Sequence, residues 1–235
     1  MDQVILHIRQ KLKEGSDEEI RKKGEYFFKE DVKLYGLKNG DVQKLGKEIL
    51  KELPDKSKKR IFSLCEELWK SGYMEESFMA CHWSYYVRKS FVPEEIELFE
   101  RWIDSYVSNW ASCDTFCNHT VGELIEKFPE CLVNLKKWAV SENNWMRRAA
   151  AVSLIVPARK GKFQDDIFEI ATILLTDKDD MVRKGYGWML KAASEADHKR
   201  VYDFVMKNRD MMPRTAFRYA IEKMPADMRA KAMSK

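Results

Sequence analysis

Apolar residues return at spacings of three and four along nearly the whole chain. "VILHIRQKL" places Val4, Ile5, Ile8 and Leu12 on one helical face. "DVQKLGKEILKEL" does the same with Val42, Leu45, Ile49, Leu50 and Leu53, and "KRIFSLCEELWKSG" with Ile61, Leu64, Cys65, Leu68 and Trp69. Between such stretches lie "YGLKNGD", "ELPD", "FVPEE", "FPE", "ARKGK", "TDKDD", "MMPR" and "MPAD". Each joins Gly, Pro, Asn or Asp to polar neighbours, as helix stops and caps require. No segment alternates with period two over a strand-like composition. The pattern predicts an all-α chain of helices about 12 to 18 residues long joined by short links.

The later half carries a repeat. "PECLVNLKKWAVSENNWMRRAAAVSLI" and "DIFEIATILLTDKDDMVRKGYGWMLKAA" share one layout: an apolar helix, a polar link, then a helix opening Met-x-Arg. Met146 and Met181 stand 35 residues apart, and helix-pair repeats of the HEAT and armadillo kind run roughly 40 to 47 residues, tetratricopeptide repeats about 34. The expectation is one HEAT-like repeat domain over residues 1–235, a solenoid whose successive helices build a concave groove for a large ligand.

Composition narrows the partners only slightly. The 235 residues are 45% hydrophobic and 34% charged, with a formal net charge of +4, which permits a polyanion without requiring one. Ten glycines and six prolines are fewer than average usage gives, again favouring long helices. The five cysteines, Cys65, Cys81, Cys113, Cys117 and Cys131, are odd in number and lie within helical pattern, unlike a secreted disulfide framework. "MDQVILHIRQKLKEG" has charges throughout and no signal-peptide core, and no run approaches 18 apolar residues, so no membrane span is expected. These features predict a reduced, cytoplasmic protein.

Chemistry concentrates in "SNWASCDTFCNHT", residues 108 to 120. Cys113, Cys117 and His119 invite a metal, but His119 lies six residues beyond Cys113 and no second pair completes a closed zinc site. Buried packing suits these thiols better, and no metal is expected. Trp110 and Asp114 share a helix face at i and i+4. Alone, that pair reads as a helix start with a packed Trp. Three further features point elsewhere: Arg148 in "NNWMRRAAAV", Trp188 beside glycine in "RKGYGWML", and Tyr26 in "KKGEYFF".

Those motifs, in this order, resemble the DNA alkylation repair family, the AlkD-type glycosylases built from HEAT-like repeats. "EYFFKEDVKLYGLKNGDVQKLGKEI" resembles the family's N-terminal Tyr helix and Tyr-Gly segment, and "NWASCD" its Trp-x-x-x-Asp motif at Trp110 and Asp114. "NNWMRRAAAV" resembles Trp-x-x-Arg-Ala-Ala at Trp145 and Arg148. "VRKGYGWMLKAA" is similar to Lys-x-x-Gly-Trp-x-Leu at Lys184, Gly187 and Trp188, and "PRTAFRYAIEKMP" to the C-terminal Arg-containing helix. The family often reads Trp-Asp-x-x-Asp; here Ala111 follows Trp110.

The resemblance implies hydrolysis of the N-glycosidic bond of positively charged N3- or N7-alkylated purines in double-stranded DNA. Asp114 would be the working carboxylate and Trp110, Trp188 and Tyr26 the aromatic faces. Arg148 would hold a phosphate near the lesion. Tyr26, Arg147, Lys160, Lys184 and Arg214 are the expected DNA contacts, within a wider basic set of Lys136, Lys137, Arg159, Lys162 and Arg183. No cofactor is implied, nor strand cleavage, and a monomer would suffice. Ala111 keeps a second reading open, a non-catalytic relative that binds damaged or branched DNA. A protein-binding HEAT scaffold would explain the helices but not the motifs.

Overall fold

The computed structural model describes residues 2–234. The chain is all-α; among the described residues there is no strand, only an isolated bridge between Lys33 and Tyr73. It divides into two compact units, Met1–Phe116 and Cys117–Lys235. The first holds α1 (Gln3–Glu14), α2 (Glu18–Phe27), α3 (Asn39–Glu52), α4 (Lys58–Trp69), α5 (Met74–Tyr86), α6 (Glu95–Tyr106) and α7 (Trp110–Phe116). The second holds α8 (Gly122–Lys127), α9 (Leu132–Trp138), α10 (Asn144–Val152), α11 (Ile155–Arg159), α12 (Gln164–Ile173), α13 (Asp180–Ala196), α14 (His198–Lys207), α15 (Arg214–Ile221) and α16 (Ala226–Met233). No described helix is long and apolar enough to cross a membrane.

The apolar faces read from the sequence form the cores. Ile5, Ile8 and Leu12 of α1 are fully buried, as are Ile61, Leu64, Cys65, Leu68 and Trp69 of α4. In the second unit the repeated layout is visible as stacking: α9 packs on α12, and α10 on α13. The two links are capped alike, Asn143 accepting from the Trp145 N–H and Asp179 from those of Met181 and Val182. Several helices are shorter than the periodicity predicts. Pro157 in α11 cannot donate a backbone hydrogen bond to the carbonyl four residues earlier, Ser153, and the helix breaks there.

Two adjacent carboxylates at the start of α5 organise the first unit. Glu75 is buried and accepts three backbone N–H groups, from Tyr35 (3.1 Å), Gly36 (2.9 Å) and Leu37 (3.2 Å). Glu76, equally buried, takes a forked contact from Arg9 and the Tyr35 hydroxyl at 2.8 Å. Burial, reinforced by Glu76, pushes the Tyr35 phenol well above its ordinary range. The segment 35–37 then fixes α2. Gly36 has φ +98°, and a Cβ there would lie 2.2 Å from the Asp17 carbonyl oxygen, so only glycine fits. None of the α2 residues is fully buried; this anchor substitutes for a core face.

Glu75→Ala is expected to leave three backbone donors without their acceptor and lower stability by about 3 kcal/mol, read by urea unfolding, with faster amide exchange across α2. A second carboxylate predicts a pH effect. Glu66 of α4 receives Arg101 at 2.8 Å, the Tyr106 hydroxyl at 2.7 Å and the Trp102 indole N–H. Burial would raise its pKa, but these donors prevail and hold it at about 2. Because the folded value lies below the unfolded one, the resulting stability is present above about pH 4.5 and lost as pH falls toward 2. Glu66→Gln should flatten the unfolding free energy over that window by on the order of 2 kcal/mol.

Candidate functional site

In the first unit, Trp110 is the first residue of α7, whose N-terminus is fixed by Asn109. The Asn109 side-chain oxygen accepts the Ser112 backbone N–H at 2.9 Å and its hydroxyl at 2.8 Å. Asp114 follows one turn later on the same face, and both side chains are half-buried. Cys113 is fully buried; at the start of the second unit Cys117 is also fully buried, whereas His119 is exposed. The thiols and the imidazole therefore sit in different environments, and the cysteines pack into the interior.

The indole does not stand alone. Phe28 stacks on it with centroids 5.5 Å apart and planes 27° from parallel, and Phe27 meets it edge-on at 6.0 Å. Phe27 is 69% exposed and Tyr26 93%. The end of α2 thus presents consecutive aromatic side chains beside the Trp110–Asp114 turn. Sequence reasoning selected Tyr26 and missed Phe27 and Phe28. The available signal was "EYFF" itself, three consecutive aromatics at the end of a helix with few core positions.

In the second unit, Arg148 of α10 is only 5% exposed and its guanidinium donates to the Met181 carbonyl. Gly185 of α13 makes room for it: a Cβ there would lie 3.2 Å from the Arg148 Cγ. Trp188, one turn beyond Lys184, is half-buried on α13. Gly187 faces α15, where a Cβ would come within 2.9 Å of the Tyr219 Cβ. The two glycines let α13 approach α10 on one side and α15 on the other.

The expected DNA contacts differ in how far they are already engaged. Arg147 pairs with Asp177 at 2.6 Å and donates to the carbonyls of Ser141 and Glu142. Lys160 and Lys162 share Glu126, and Lys184 pairs with Asp180 at 2.7 Å. Burial would raise the Glu126 pKa, but the two ammonium groups hold it below its ordinary value. Arg214 is exposed and forms no ion pair among the described residues.

The family model described as DNA alkylation repair enzyme matches residues 8–224. The chain belongs to this family. A solved structure described as a predicted DNA alkylation repair enzyme from Enterococcus faecalis is similar in fold, with a TM-score of 0.79 at 19% identity, covering 90% of this chain and 97% of that one. The crystal structure of smu.31 from Streptococcus mutans is similar with a TM-score of 0.59 at 20% identity, covering 80% of this chain and 99% of that one. No curated protein matches. Of the motif residues, Trp110 and Asp114 share a face of α7 in the first unit, and in the second Arg148 packs at Gly185 of α13, the helix that carries Lys184 and Trp188.

Of the seven tryptophans, Trp69, Trp83, Trp102, Trp138 and Trp145 are buried. Acrylamide quenching therefore reports chiefly on Trp110 and Trp188. In a Trp188→Phe background, Phe28→Ala should increase quenching by uncovering one face of Trp110. It should lower stability by only about 1 to 2 kcal/mol. Unchanged quenching would show that Phe28 does not cover the indole.

Proposed function

We propose that this family member is a monofunctional DNA glycosylase that hydrolyses the N-glycosidic bond of cationic N3- or N7-alkylated purines in duplex DNA. The observation that carries this reading is the Trp110–Asp114 turn set against the exposed aromatic end of α2. A carboxylate beside electron-rich rings suits a cationic base and a sugar that becomes cationic as the bond breaks.

Alkylation already places positive charge on the purine, so the base departs with the electron pair of the C1′–N bond and leaves as a neutral molecule. Positive charge develops on the deoxyribose, as in other glycoside hydrolysis. Asp114 stabilises that charge and orients the water that attacks C1′; the water's proton passes to the carboxylate or to solvent. Trp110 and Tyr26 offer ring faces to the charged base and sugar, each cation–π contact worth roughly 0.5 to 2 kcal/mol, and Trp188 is assigned an aromatic role by its motif alone. Such contacts favour charged over neutral bases. Arg148 keeps its charge under all physiological conditions and holds the Met181 carbonyl at the start of α13, the helix bearing Lys184 and Trp188. Its assigned role in this reading is to keep a phosphate near the lesion. No lysine occupies a nucleophilic position in these motifs, so the product is an abasic site with an intact strand. The enzyme acts as a monomer without a cofactor.

Ala111 favours a second reading, a non-catalytic relative that binds damaged or branched DNA through the same side chains. Release of methylated purines from methylated duplex DNA separates the two. The wild type should release 3- and 7-methylpurines, and Asp114→Asn should reduce the single-turnover rate by about 10² or more. No release by the wild type, with salt-sensitive DNA binding intact, moves the assignment to the non-catalytic binder.

A further inference from the structure

The second unit is rich in basic residues, yet the structure separates those already neutralised from those available. Lys136 is shared by Asp166 and Glu169, Lys160 and Lys162 by Glu126, and Lys184 is held by Asp180. To meet a phosphate, each would have to leave a carboxylate or share its charge with one. Arg214 and Arg218 are different. They lie one turn apart on α15, are both exposed, and form no ion pair among the described residues.

They also border a cavity. An open depression of about 440 Å³ is lined by Arg214, Thr215, Arg218, Tyr219 and Glu222. Its one carboxylate is already matched: Lys191 holds Glu222 at 3.1 Å, and the same ammonium lies 5.5 Å from the Tyr219 ring centroid. Two guanidinium charges therefore remain uncompensated over the cavity. Gly187 sets the position of this surface. The close approach it permits to Ala216 and Tyr219 seats α15 against the turn of α13 that carries Trp188.

We propose that Arg214 and Arg218 form a phosphodiester clamp, with Thr215 as an additional hydroxyl donor, and that it supplies more of the DNA backbone affinity than Arg147, Lys160 or Lys184. Residues at i and i+4 project to the same side of a helix, and a guanidinium forks onto phosphate oxygens while keeping its charge. The inference rests on the DNA reading above and adds Arg218 to it. Because neither arginine forms an ion pair among the described residues, phosphate binding there breaks none of the described pairs.

The test is the salt dependence of binding to a short undamaged duplex, measured by fluorescence anisotropy between about 50 and 200 mM salt, where each phosphate contact contributes about −0.9 to the log–log slope. Arg214→Ala and Arg218→Ala should each make the slope shallower by about 0.9, and the double variant by about 1.8. Lys199→Ala on α14, whose ammonium pairs with Asp203 at 2.6 Å, should leave it nearly unchanged, and circular dichroism and Tm should match the wild type throughout. A steep wild-type slope that persists in the double variant overturns the clamp while leaving the DNA reading intact. Salt-independent binding by the wild type, or none, overturns both. Loss of affinity for a short polyglutamate in the double variant, with the DNA slope unmoved, assigns the arginines to an acidic protein partner instead and overturns the clamp.

Discussion

A single buried carboxylate carries much of the first unit's design. Glu75 accepts the N–H groups of Tyr35, Gly36 and Leu37, so an extended segment with no sheet to join still has its backbone donors satisfied. Satisfying those donors fixes Gly36 under the start of α2, where any side chain would strike the Asp17 carbonyl. α2 in turn places Phe27 and Phe28 against Trp110. The position of the indole beside Asp114 is thus tied to a hydrogen-bond cluster on other elements, through covalent geometry and packing alone. Glu76 doubles the hold by joining Arg9 of α1 to the Tyr35 hydroxyl.

The second unit reaches its geometry by the opposite means, the absence of side chains. Gly185 and Gly187 leave space into which Arg148 on one side and α15 on the other can settle. An arginine buried to this degree needs acceptors, and the Met181 carbonyl at the first turn of α13 provides one. The surrounding ion pairs compensate many of the basic residues, whereas Arg214 and Arg218 of α15 form none among the described residues.

Local physics made the helices legible in the sequence. The 3.6-residue period of α1 and α4 and the caps at Asn143 and Asp179 all depend on neighbours within a few positions. The Trp110–Asp114 face was legible for the same reason, whereas the Asp180 carboxylate that holds Lys184 was passed over although it lies only four positions away. What spacing could not disclose depends on distant partners. Phe28 meets Trp110 across 82 residues of chain, Arg148 is enclosed by Gly185 on another helix, and Lys160 is neutralised by Glu126, 34 positions away. Arg218 was recoverable from "RTAFR" as the residue one turn beyond Arg214, but nothing local marked it as unpaired.

The weak burial of α2 has a consequence for how the protein can change over time. A substitution in a packed core is filtered first by folding, because cavities and clashes cost several kcal/mol. Tyr26 and Phe27 project from a helix with no fully buried residue, so exchanging them leaves the core nearly untouched. Variation can therefore reshape the aromatic surface while Glu75 and Gly36 keep its support in place. In this fold the exposed aromatic end of α2 is the part freest to drift, so its surface chemistry is an evolvable trait largely uncoupled from stability.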